Sequence, residues 1–339
     1  MGYTNTPHSG QDARVSTTVR NTFAPREIST KPRPSDRLFR AILNVMSYSS
    51  LLILTLIGAF LIFRGFETFR EQGFKFITGF EWTSNVVDGV EKGTFGIGAM
   101  IIGTLLIAFT AIAIGVPISA MTALYLNFYA PAKTKALLTT ILDLMAAFPS
   151  ILFGLWGYFV LAPMAEYWAK LLYKYFRWIP IFDAPQPAFT RSPFIAALVL
   201  TVMIIPIVTS VSREVFSQAP LDRIQAAYAL GATKWTMIRT VVIPFGASGV
   251  VGGAMLGLGR AMGETVAIYM VLNIAFINNL HILYGVGGNV ASMIVQKWGE
   301  SGLVESKALL AAGFVLFMLT LIVNSIANLI VRYAVKSGK

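Results

Sequence analysis

The chain has 339 residues, 55% hydrophobic and 13% charged, with a mean hydropathy of +0.67, a balance that excludes an ordinary soluble domain and reads as an integral membrane protein. No cysteine is present and the only two histidines, His8 and His281, stand far apart, which removes disulfide frameworks, thiolate metal sites and an imidazole metal centre. A formal charge of +11 fits either a nucleic-acid partner or an orientation signal across a membrane, and the placement of the basic residues decides between them.

Residues 1–40 are polar, rich in Thr, Ser, Pro and Arg, and read as a disordered N-terminal tail without the pattern of a cleaved signal sequence. Apolar runs follow at about 41–63, 97–126, 137–163, 193–217, 244–272 and 308–333, each long enough for the ~20 residues that cross a hydrocarbon core. Six transmembrane helices are therefore expected, with kinks at Pro117 and Pro206, where a backbone donor is missing. An even number of spans puts both termini on one side. That side, with loops near 127–136 and 218–243, holds 16 basic and 5 acidic residues, against 10 and 9 opposite. The excess of Lys and Arg makes the termini cytoplasmic and accounts for most of the net charge. No basic run is interleaved with aromatics as a nucleic-acid surface requires, so no nucleic-acid partner is expected.

The opposite loops, 64–96 and 164–192, carry aromatics suited to a bilayer interface, among them Trp168, Tyr173, Tyr175, Phe176 and Trp178. Interfacial anchoring is the plainer reading and contact with an extracytoplasmic partner the sharper one. Asp143, near the cytoplasmic end of the third run, reads as a polar end residue reaching the interface.

The fifth run contains GRAMGETVAIYMV, residues 259–271, with Arg260 within ~3 Å of the midpoint of its span at ~1.5 Å per residue. On a continuous helix Glu264 falls ~40° from Arg260, and Gly246, Gly249, Gly253 and Gly257 within ~60° of it; Thr265, ~140° away, is not expected to touch substrate. Glycines four apart allow close helix packing, whereas a charge deep in a membrane marks a path for a polar substrate. The shared face is read as lining such a path, with a self-neutralising pair that fixes helix register as the alternative.

Between the fourth and fifth runs lies RIQAAYALGATKWTMIRTVVIPFG, residues 223–246, which predicts a helical hairpin turning at Gly231 with a second short helix ending at Pro244. Gln225, Ala226 and Ala227, Gly231 at its spacing, and Val241-Val242-Ile243-Pro244 make this loop similar to the EAA loop of ABC importer permeases, with Gln225 where a glutamate is usual. The resemblance implies a coupling loop, 223–244, that docks in a groove of a cytoplasmic ATPase, where small Ala226 and Ala227 allow close approach. The chain has no G-x-x-x-x-G-K-[ST] phosphate loop and no G-x-S-x-G elbow, so it is expected to be no enzyme, and ATP hydrolysis to belong to a partner.

More widely, residues 35–335 resemble phosphate ABC permeases of the PstC type, through SDRLFR, AAFPSILFGLWG at 146–157, IIPIVTSVSREVF at 204–216 and GLGRAMGETVAIYMV at 257–271. The resemblance implies an all-α, six-helix type I ABC importer permease fold of the MetI-like kind over 41–335, in a bacterial plasma membrane and surrounded by its lipid. It also implies a PstA-type second permease, two PstB-type ATPases that bind ATP and magnesium, and a PstS-type extracytoplasmic phosphate-binding protein, with no cofactor in this chain. Arg260 and Glu264 would lie on the substrate path. A guanidinium presents forked donors to an oxyanion and stays charged when poorly solvated. Glu264 would accept the O–H of a protonated phosphate and pair with Arg260 when the path is empty. The alternatives are a permease for sulfate or molybdate, an ATP-independent channel or carrier, and a membrane enzyme, the last without a catalytic constellation.

Overall fold

A computed structural model describes residues 34–87, 90–185 and 189–337, and the chain divides into two compact units, Met1–Leu54 and Thr55–Lys339. Most of the expected tail, residues 1–33, lies outside the described residues, but its end is already helical. Helix α1 runs from Pro34 to Gln72. Pro34 supplies a preset φ at the first position, and Asp36 in the first turn and Arg70 in the last complement the helix dipole. In the first unit this helix is apolar and exposed on most sides, from Leu38 and Phe39 to Leu52 and Leu54.

The second unit continues with α2 (Lys75–Thr78) and an antiparallel hairpin of β1 (Trp82–Val87) and β2 (Val90–Phe95), in which Trp82 faces Phe95. Then come α3 (Gly98–Phe128), α4 (Ala132–Ala147), α5 (Ser150–Trp156), a π turn over Gly157–Leu161, α6 (Ala162–Phe176) and α7 (Pro193–Ser217). The last third holds α8 (Leu221–Ala229), α9 (Lys234–Met237), a π turn over Ile238–Val242, α10 (Ile243–Gly263), α11 (Val266–Val271), α12 (Val290–Trp298) and α13 (Leu303–Ser337). Among the described residues five helices are long and apolar enough to cross a membrane, and six if the bent pair Ala132–Ala147 and Ser150–Phe176 is one span.

Two of the expected spans need correction. The third, 137–163, is not one rod: its halves meet at 101°. Pro149 disfavours the α region for the residue before it, and Phe148 is extended at φ −70°, ψ 137°. The fifth, 244–272, ends instead at Gly263 and resumes at Val266. Pro117 and Pro206 sit inside helices that continue through them.

The main core forms where α3 meets α7, through Ile107, Ala108, Ala111, Ile195, Leu200 and Ile204. Hydroxyls stitch the same contact: Thr201 Oγ1 donates to the carbonyls of Ala197 (2.8 Å) and Ala111 (3.3 Å), and Ser119 Oγ to that of Ile205 (3.3 Å). These bonds satisfy the Thr201 and Ser119 hydroxyls without water.

A second core lies under the hairpin, and it corrects part of the interfacial reading of segment 64–96. Trp82 is buried, stacks on Phe276 at 5.8 Å and donates from Nε1 to Glu305 Oε1 at 2.6 Å, with Lys297 Nζ 3.5 Å from the same oxygen. From β2, Glu91 accepts the amides of Val304 (2.9 Å) and Glu305 (3.1 Å) in the first turn of α13. The Val304 amide first, with smaller help from Glu305, Ser84 and Leu303 against a desolvation cost, holds the Glu91 carboxyl below the usual carboxylate range. In segment 164–192, Trp168, Tyr175 and Trp178 are exposed, while Tyr173 is half-buried against Phe189.

Candidate substrate path and coupling surface

The glycine stripe of α10 packs on α7 inside this chain. A Cβ on Gly246 would meet the Phe216 ring at 2.4 Å, one on Gly249 Val215 at 2.4 Å, one on Gly253 Val211 at 3.2 Å, and one on Gly257 Val208 at 3.0 Å. Four missing side chains thus receive four successive knobs of the facing helix. The expectation that this stripe lines a path is overturned: the knobs of α7 fill it.

Arg260 stands at the edge of that stripe and is exposed, with no hydrogen bond, ion pair or ring contact among the described residues. The face beside it is open, since a Cβ on Gly252 or Gly263 would meet nothing within 4 Å and Leu256 is 59% exposed. Glu264 does not continue the helix: it is extended at φ −69°, ψ 128°, and only 7% exposed. The expected geometry of two charges ~40° apart on one helix is therefore corrected, and the two make no ion pair. Instead Glu264 Oε1 accepts weakly from the Ala267 amide at 3.4 Å at the start of α11.

The break has a tertiary cause. Fully buried Asn289 donates from Nδ2 to the Glu264 carbonyl at 2.6 Å and accepts the Ser292 amide on Oδ1 at 2.9 Å, capping α12. One amide side chain thus satisfies a carbonyl released at one helix end and a donor at the start of another. Thr104 Oγ1 of α3 accepts the Val290 amide at 3.1 Å, and Gly288 approaches so closely that a Cβ on Gly103 would lie 2.0 Å from its carbonyl oxygen. The segment after α11 is thereby clamped against α3.

At the other end of α10, α8 and α9 form the expected hairpin, with Gly231 at φ +81°, in the left-handed region that glycine adopts freely. Thr233 caps α9 by accepting the Thr236 amide at 3.3 Å. Met237, Ile238 and Val242 are buried with Ala123 and Phe216, joining the hairpin to the ends of α3 and α7. Lys234 Nζ adds a bond to the Phe128 carbonyl at 3.0 Å, lying 5.1 Å over the Tyr129 ring, a cation at a helix C-terminus. The opposite surface is unpartnered: Leu230 is 89% exposed, and Gln225, Ala226, Tyr228 and Trp235 are exposed too.

Residues 115–336 match the family described as binding-protein-dependent transport system inner membrane component. The chain belongs to this family. Among relatives of this permease is the phosphate transport system permease protein PstC 2 of Mycobacterium tuberculosis, 40% identical over 301 residues that cover 88% of this chain and 92% of that one. The phosphate transport system permease protein PstC of Pasteurella multocida is 35% identical over 312 residues, 89% and 93% of the two chains. A crystal structure of a bacterial ABC transporter involved in the import of the acidic polysaccharide alginate shares the fold, with a TM-score of 0.51 at 16% identity, covering 88% of this permease and 99% of that chain.

Within the permease, the residues singled out from sequence fall into two places. Arg260 and Glu264 end and follow α10, close in sequence but differently turned. Gln225, Ala226 and Gly231 lie on the exposed hairpin surface. Ala227 departs from expectation by packing inward on the cluster around Phe216, so its small size serves the permease's own fold. Pro244 ends nothing: it is the second residue of α10, and the helix runs unbroken from Lys234 to Gly263. Proline is tolerated that early because it lies next to the π turn, where the α-helical bonding pattern is already interrupted. Asp143 is exposed on α4. Sequence reasoning missed Asn289, whose only signal is an Asn three residues before Ser292 at a helix start.

Proposed function

We propose that this chain is one permease subunit of an ATP-driven phosphate importer and forms half of its translocation path. The observation that carries the reading is Arg260: an exposed, unpaired guanidinium beside an open face of α10, in a chain whose relatives are phosphate transport permeases. Such a charge in a membrane helix needs an anionic or polar partner, and a forked donor suits phosphate. A second, PstA-type permease would close the path, and a PstS-type binding protein would deliver phosphate at the end where the β hairpin lies.

The α8–α9 hairpin is the docking surface for one of two PstB-type ATPases, which hold ATP and magnesium. Both termini then face the cytoplasm of a bacterial cell, as the Lys and Arg excess requires. ATP binding draws the ATPases together and moves the hairpin with the α3 and α7 ends to which it is bound; hydrolysis and release reset it. Glu264, buried beside the break, supplies a carboxylate that repels a fully deprotonated anion and accepts a proton donor.

The test is uptake of radiolabelled phosphate in cells lacking other phosphate importers, comparing the intact assembly with Arg260→Gln at matched membrane expression. Uptake is expected to fall about tenfold or more, with assembly and nucleotide binding preserved. Normal uptake by the variant would remove Arg260 from the path, and preferential competition by sulfate or molybdate would assign another oxyanion.

A further inference from the structure

Helix α13 brings Asn324 against α10 at Gly259, where a Cβ on the glycine would lie 3.8 Å from Asn324 Nδ2. The Asn324 amide makes no hydrogen bond among the described residues: its Oδ1 is enclosed without a partner, and its Nδ2, which is not enclosed, is free to donate. Arg260, the next residue on α10, is equally unpaired. Hydrocarbon offers no hydrogen bonds, so a polar group that stays unpaired in a membrane helix calls for a partner from elsewhere in the working assembly.

The two groups flank one feature. Gly259 and Arg260 are ~100° apart around α10, and from Gly252 onward the sector between them holds Gly252, Leu256 and Gly263, Gly249 about one turn earlier in it being packed on Val215. That sector is the open face, with nothing within 4 Å of a Cβ placed on Gly252 or Gly263. A guanidinium therefore stands at one edge and, across the bare backbone of Gly259, a primary amide at the other.

Resting on the phosphate-permease reading, we propose that Asn324 is a second substrate-contacting residue, whose amide N–H groups donate to an oxygen of the phosphate held by Arg260. The chemistry suits passage as well as recognition. A neutral donor beside a fixed cation adds direction without a second positive charge, and conduction requires binding weak enough for release. Gly259 contributes by carrying no side chain that would cover the amide.

The experiment uses the assembled importer in proteoliposomes, measuring phosphate taken up per ATP hydrolysed for the wild type and for Arg260→Gln, Asn324→Ala, Asn324→Asp and Gly259→Val. Asn324→Ala is expected to lower that ratio about tenfold, as for one lost hydrogen bond to a charged group. Asn324→Asp, which turns a carboxylate toward the anion, is expected to abolish uptake, and Gly259→Val to reproduce Asn324→Ala by covering the amide. A purely structural role would lower complex abundance and both rates together, leaving the ratio unchanged. Wild-type ratios in both Asn324 variants, with Arg260→Gln inactive, would overturn this proposal and leave the phosphate reading standing. If the Asn324 variants fail to assemble, a wild-type ratio in Gly259→Val overturns it. A wild-type complex that does not take up phosphate at all would overturn the reading beneath it.

Discussion

The Glu264 carboxylate sits beside the first turn of α11, with Oε1 3.4 Å from the Ala267 amide. A glutamine there keeps the shape and one acceptor oxygen for the Ala267 amide while replacing the other oxygen by an NH2 donor and removing the negative charge, so Glu264→Gln tests the anionic part of the residue's role. The variant is expected to keep phosphate uptake while losing discrimination against sulfate, which near neutral pH has no proton to donate to a carboxylate and is repelled by it. Excess sulfate competing with labelled phosphate measures this; unchanged selectivity with transport intact would discard the role. Arg260 was legible in the sequence because an arginine amid glycines and apolar residues has few structural uses. Asn289 and Asn324 were not, because an asparagine in an apolar stretch gains meaning only from what faces it: the Glu264 carbonyl 25 residues away for Asn289, and the bare backbone of Gly259 for Asn324.

At the level of elements, hydropathy counted the membrane-crossing runs well because burial in lipid is a matter of composition. It located their breaks poorly because direction is set by backbone and tertiary contact. Pro149 breaks its span and Pro117 does not, though each lacks the same N–H. The break after Gly263 depends on a bond from Asn289, 25 residues further on. The β hairpin was hidden for a related reason: its register is fixed by Trp82 and Glu91, which bind the start of α13 more than 200 residues away. That link has a pH consequence. The folded-state pKa of Glu91 is depressed, so its contribution is fully present above the unfolded value of ~4.3 and is lost as pH falls through the folded one. Protection of the Val304 and Glu305 amides, taken relative to the intrinsic exchange rate at each pH, is expected to fall on acidification in this window, and in Glu91→Gln to be low already at neutral pH with the acid step gone. Equal protection in both proteins would deny Glu91 the capping role.

Across the molecule, the second limb of the hairpin, with Trp235, and the charged end of α10 belong to one continuous helix of 30 residues, Lys234–Gly263, about 45 Å long at ~1.5 Å per residue. Movement of the hairpin is therefore conveyed along a single rod. On the proposed docking surface Leu230 is the most exposed large apolar side chain. Leu230→Asp is expected to leave the permease folded and in the membrane but to cut phosphate uptake and ATPase retention together, about tenfold, as one buried apolar anchor is lost at an interface. Retention of the ATPase at wild-type level on affinity purification would place the docking surface elsewhere. The π turn at Ile238–Val242 sets the azimuth of this rod. Such a turn holds one residue more than the α-helical turn it replaces, so everything above it is rotated by ~100° relative to an uninterrupted helix. The compass bearing of Arg260 is thus decided some twenty residues below it, at the base of the shaft, where loss of a single residue would swing the whole sector away while leaving the surroundings of both sites unaltered in sequence.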